Sequence, residues 1–183
     1  SSVGFAMGRH KTDIVTISND HPHHSNSAVV KGDPRIITGP GEYEVASFYI
    51  SGKATPRTRR EEDRSINTVF TVFTEGISVC HLGDIGVPLS SRQIEELGSI
   101  DVLCVPVGGV CTLDVGRAVE LVNLIRPRIV IPIHYRYEGI KVELGPVEAF
   151  LTHVEPSGTT TLRKLKISAT DLPRERQVAL LER

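Results

Sequence analysis

Residues Asp101–Tyr135 read DVLCVPVGGVCTLDVGRAVELVNLIRPRIVIPIHY. Two apolar runs, Asp101–Val107 and Arg128–Ile133, bracket a segment of different period. Each run is short, continuous and rich in β-branched residues, the pattern of a strand buried on both faces. Between them Val115, Ala118, Val119 and Val122 recur at helical spacing. Asp114 is placed to cap that helix and Pro127 to stop it. Strand, helix, strand in this order belongs to a layered α/β protein. The second strand runs directly into His134.

Upstream of this unit the pattern is mainly β. Asp13–Ser18 is β-branched and reads as a strand, and Ala28–Val30 and Arg35–Thr38 are short apolar pieces around a Gly-Asp-Pro turn. GPGEYEVASFYISGKAT, from Gly39, predicts a turn and a strand pair carrying Tyr43, Val45, Phe48 and Ile50. Asn67–Thr74 and Ile77–Leu82 predict a hairpin closed by Glu75-Gly76. Ser90 and Gln93 stand in capping-box spacing at the start of a short helix to Leu97. Downstream, Pro146–Val154 predicts a last helix, and Leu162–Ser168 and Gln177–Leu181 predict closing strands.

With 183 residues the chain is about one domain, expected to span 1–183. A net charge of -1 gives no basic field for nucleic acid, so no nucleic-acid partner is expected. No apolar run reaches the roughly 18 residues of a membrane span, and no signal-peptide pattern is visible. Cys80, Cys104 and Cys111 are odd in number and fit neither a disulfide framework nor a zinc ribbon. Cys80 and Cys104 lie in strand-like runs and read as buried thiols, which favours a reducing cytoplasm.

Three polar clusters follow three predicted strands. NDHPHHSN, Asn19–Asn26, packs three histidines and one aspartate into the five residues from Asp20 to His24. His81-Leu82-Gly83-Asp84 and His134 are the other two. Taken singly, each has a plain reading: a polar loop, a turn, a hydrogen-bonded histidine at a strand end. Together, strand ends converging on one sheet edge can hold a metal, since imidazole nitrogens and carboxylate oxygens are ligands for Zn²⁺, Fe²⁺ and Mn²⁺. His10 and His153 have no such company and read as surface residues. The loop Thr55–Ser65 holds four arginines against three acids, and is either a solvated loop or a clamp for an anionic substrate through Arg57, Arg59 and Arg60.

The order of these segments resembles the metallo-β-lactamase superfamily. The branch it is most similar to holds small bacterial and archaeal proteins classed as zinc-dependent hydrolases and related to the ascorbate-phosphate lactonases. DIVTISNDHPHHSN stands where that family has a strand and then HxHxDH, CHLGD where it has a strand and then GD, and DVLCVPVGG with RIVIPIHY where it ends on its last His ligand. The resemblance implies an αββα sandwich. Position by position it places His21 and His24 at the second and third His of the motif, Asp84 at the bridging carboxylate and His134 at the last His. Asn19 stands where the first His belongs and His23 where the Asp belongs. The family's further His, in the loop before the Asn67 strand, has no counterpart in ATPRTRREE, residues 54–62.

The resemblance therefore implies a metal set of His21, His24, Asp84 and His134, with His23 and Asp84 in catalytic roles. One zinc ion is expected, with manganese or iron as alternatives. The reaction implied is hydrolysis of an ester, lactone or phosphoester in an anionic small molecule. The Gly108-Gly109 turn is a further candidate for substrate positioning. The rival expectation is a non-catalytic binding or structural member that has lost its metal, since two ligand positions are altered. A nuclease, the third class, lacks the basic track it would need. The family also opens with a strand pair that is missing before Asp13. The domain thus reads as N-terminally incomplete, with a sheet edge that a second copy of the chain or a further segment is expected to cover.

Overall fold

The computed structural model describes residues 4, 8, 10–58, 64–154 and 158–182. Its centre is a sheet of eight strands in the order β3-β4-β5-β6-β7-β8-β10-β9. One half is an antiparallel meander: β3 Gly41–Val45, β4 Phe48–Pro56, β5 Ile66–Thr74 and β6 Ile77–His81. The other half is parallel and adds β7 Val102–Pro106, β8 Ile129–Ile133, β10 Gln177–Leu181 and β9 Thr159–Leu162. A separate parallel pair, β1 Ile14–Thr16 and β2 Arg35–Ile37, packs on the antiparallel half around Ile37, Ile50 and Phe70. This mixed α/β architecture matches the expected fold class.

The local signals that rest on near neighbours are realised. Thr74 pairs with Ile77 across Glu75 and Gly76, both at positive φ, as a tight hairpin turn requires. Helix α1, Ser91–Leu97, opens on a full capping box between Ser90 and Gln93. Helix α2, Val115–Ile125, is capped by Asp114, whose carboxylate accepts the Arg117 N–H at 3.0 Å. Along β7, Leu103 and Val105 enter the core shared with α1 and α2, while Val102 and Cys104 face the opposite core. That alternation is why the run is apolar throughout. Cys80 is buried and Cys104 half-buried, and loss of solvent pushes their thiols up to about 12 and about 11.

Two predicted elements differ. Helix α3 covers only Glu148–Leu151, although its turns continue, with Val154 N–H donating to the Phe150 carbonyl at 3.0 Å. Val147, Phe150, Leu151 and Val154 still present the helical apolar face to the core. The strand expected over Leu162–Ser168 is displaced: β9 ends at Leu162, and Leu165 and Ile167 pack as irregular chain over the second core. Their alternation reflected burial rather than pairing. Among the described residues no helix is long and apolar enough to cross a membrane.

The main core predicts its own test. Phe150 is fully buried, so Phe150→Ala should lower unfolding free energy by about 3–5 kcal/mol in urea. Leu124, on the exposed side of α2, should tolerate Ala within about 0.5 kcal/mol.

Candidate metal centre

Each chemistry-bearing residue follows a strand end. Asp84 lies three residues beyond β6, His134 one beyond β8, and Arg57 one beyond β4, while His24 is in the loop after β1. Asn67, fully buried in β5, fixes the Asp84 loop. Its amide donates to the Leu82 carbonyl at 2.9 Å and its oxygen accepts the Asp84 N–H at 2.7 Å. His134 has a left-handed backbone, φ 54°, uncommon outside glycine and often found at functional sites. Gly108 allows this: a Cβ there would stand 2.2 Å from the His134 carbonyl oxygen. The Gly108 position expected to hold substrate therefore has a packing role against the His134 backbone.

The centre is His24, Asp84 and His134, whose ligand atoms all lie within 4.8 Å of one another. Asp84 is only 1% exposed. Its Oδ2 is 3.8 Å from His24 Nε2 and its Oδ1 is 3.9 Å from His134 Nε2. Burial pushes both histidines below their ordinary value of 6.5, against the pull of Asp84. Near neutral pH the imidazoles are therefore uncharged, and their contacts with Asp84 are not ion pairs. The true ion pair is Arg57, whose Nε donates to Asp84 Oδ2 at 2.8 Å. Asp84 Oδ1 and His134 Nδ1 are buried with no hydrogen-bond partner among the described residues.

This set fits a divalent ion. Tetrahedral ligands roughly 2.0–2.2 Å from zinc lie about 3.3–3.6 Å apart; one donor atom from each residue lies here within 4.8 Å of the others, so the set closes on an ion by side-chain shifts on the order of 1 Å. Neutral imidazoles and an oxygen with an unused lone pair are the donor forms such an ion needs.

Of the remaining loop residues, His21 borders that cluster and His23 lies at the exposed tip. The ring of His21 is 5.8 Å from that of His24, and its Nδ1 accepts the His23 N–H at 3.3 Å. His23 is exposed and meets His21 edge-on, with centroids 4.6 Å apart. Asn19 is buried, and its side-chain oxygen closes the loop by accepting the His21 N–H at 3.1 Å. Cys111 Sγ lies 4.0 Å from His134 Nε2, a neighbour with no local sequence signal. Arg59 and Arg60 fall outside the described residues, and His10 and His153 are exposed, as expected.

A family profile described as a β-lactamase superfamily domain matches residues 1–134. The chain belongs to the metallo-β-lactamase superfamily. Within that superfamily, it is 42% identical to a UPF0173 protein of Pyrococcus abyssi, over 73% of this chain and 74% of the relative. It is 27% identical to a UPF0173 metal-dependent hydrolase of Ignicoccus hospitalis, over 87% of this chain and 78% of the relative. A crystal structure from Thermotoga maritima, of a candidate zinc-dependent hydrolase of the metallo-β-lactamase superfamily, is 36% identical. It covers 96% of this chain and 84% of its own, with a TM-score of 0.78.

The depressed histidines set a pH dependence. Below 6.5 the unfolded chain takes up protons that folded His24 and His134 refuse, so stability rises with pH in that window. Stability is complete above 6.5 and is lost as pH falls through that value toward the folded-state ones. Urea midpoints of chelator-treated protein should fall between about pH 7.5 and about pH 5.5, and a His24→Gln/His134→Gln variant should flatten the slope.

Proposed function

We propose that this chain is a metal-dependent hydrolase with one divalent ion, held by His24, Asp84 and His134 with His21 nearby to complete the set. The observation that carries this reading is the buried Asp84 carboxylate flanked by two uncharged imidazoles at 3.8 and 3.9 Å. The metal-dependent hydrolase names of its relatives support it. Zinc best suits two nitrogens and a carboxylate, with manganese or iron as alternatives. Such an ion supplies Lewis acidity and a nucleophilic water at neutral pH.

The chain's own residues supply position and proton handling. His134 is fixed by its strained backbone and Asp84 by Asn67, so the donors are preorganised. His23, at the exposed loop tip, takes the position where the family has a carboxylate and is the group proposed to exchange protons with the attacking water. A cleft of about 520 Å³ adjoins His134 and is lined by Ile131, Tyr135, Tyr137 and Leu181 among others. Its lining favours a small ester or lactone with an apolar body over a phosphoester. Among the described lining residues there is an acid, Glu182, and no lysine or arginine, which gives no support to an anionic body there.

The second reading is a non-catalytic member. It is favoured by Arg57, which already compensates Asp84 without any ion. Metal content after purification without chelator or histidine tag separates the two. About one ion per chain, absent from His134→Ala, is the expected outcome for a divalent-ion site. No ion after refolding with zinc, and no turnover of ester, lactone or phosphodiester panels, would leave the non-catalytic reading.

A further inference from the structure

Arg57 is the contact that the metal reading does not use. Its Nε donates to Asp84 Oδ2 at 2.8 Å, well inside the 3.8 and 3.9 Å of the two histidines. The guanidinium is itself largely withdrawn from solvent, at 22% exposure against 1% for Asp84. Its backbone is held as closely: a Cβ on Gly86 would stand 2.0 Å from the Arg57 carbonyl oxygen. Only glycine at 86 lets the end of β4 lie against the Asp84 loop. On the same oxygen His24 Nε2 lies at 3.8 Å, while Asn19 Oδ1 and His21 Nδ1 accept from backbone N–H groups of their own loop. On the other side, Asp84 Oδ1 faces His134 with no hydrogen bond.

We infer that the Arg57 guanidinium is the second cation of this centre. It holds Asp84 Oδ2, which His24 also approaches at 3.8 Å, leaves Oδ1 without a hydrogen bond beside His134, and so limits the centre to a single divalent ion. This rests on the reading of those three residues as a divalent-ion site. Where two ions would share a bridging carboxylate, a fixed positive charge occupies one side and repels a further ion there. The same charge lowers the affinity for the ion that does bind, because like charges a few ångströms apart repel even when partly solvated. Arg57 is thus a positioning and charge-setting residue.

The test uses Co²⁺ as the only ligand, read by its visible absorption and by metal content after dialysis. Wild type should bind one ion, and Arg57→Lys, which keeps the charge, should match it. Arg57→Gln should bind at least about tenfold more tightly. Asn19→His/Arg57→His, which restores donors on the Oδ2 side, should bind two. Unchanged or weaker binding by Arg57→Gln, with one ion in the double variant, would overturn the inference and leave the mononuclear reading standing. No ion in wild type but one in Arg57→Gln would overturn the inference as stated, since Arg57 would then exclude even the first ion, and would refute a native metal site. No ion in any variant would overturn both. Removing Arg57 strands a buried carboxylate, so Arg57→Gln can lose its fold without metal. In that event circular dichroism on adding Co²⁺ decides: recovery of the fold supports the inference, and none overturns it.

Discussion

A carboxylate with 1% of its surface exposed is costly unless something compensates its charge. Asp84 imposes that requirement on everything around it. Asn67 gives up both ends of its side chain to hold the Asp84 loop, and a buried amide left half-satisfied would carry its own penalty. Arg57 supplies the countercharge. His24 and His134 bring lone pairs rather than charge, because burial has removed their protons. The strand ends of both halves of the sheet are thereby tied to one atom group. The fold's mixed topology serves it, since β4 and β6 come from the antiparallel half and β8 from the parallel half.

Much of this was legible in the sequence, and the reason differs by element. The Glu75-Gly76 hairpin, the Ser90 capping box and the Asp114 cap depend on residues within four positions of one another. Local chemistry settles them. The buried strands β7 and β8 announce themselves because two cores flank the sheet. The Leu165–Ile167 alternation misled because period-two burial does not require a hydrogen-bonded neighbour. It needs only a face to cover.

At the centre, three of the expected metal residues, His24, Asp84 and His134, come together. His21 and His23 turn to each other at the loop tip. The Arg57 contact was not legible, because it joins residues 27 apart through a loop whose composition is that of a solvated surface. A count of four arginines against three acids says nothing about which one turns inward. The signals that bear on it are indirect: Pro56 at the end of β4, and Gly86 two residues beyond Asp84. The two become meaningful only once strand order places them together.

Two opposed electrostatic effects meet at His24 and His134. Burial disfavours their protonated forms, so an incoming ion has little proton to displace near neutral pH. Arg57 works the other way, placing a positive charge where the ion's own charge must approach. A site with the first effect alone would hold metal tightly and need it to neutralise Asp84. With the second added, the carboxylate is already compensated, and the ion becomes an addition to a finished structure. On the proposed reading the fold does not require the ion, in contrast to small metal-folded domains, where the ion supplies the stability itself, although an ion that binds the folded chain still adds to its stability. In the proposed site the cost of that independence falls on the ion's affinity, through a single guanidinium held against one oxygen of one carboxylate.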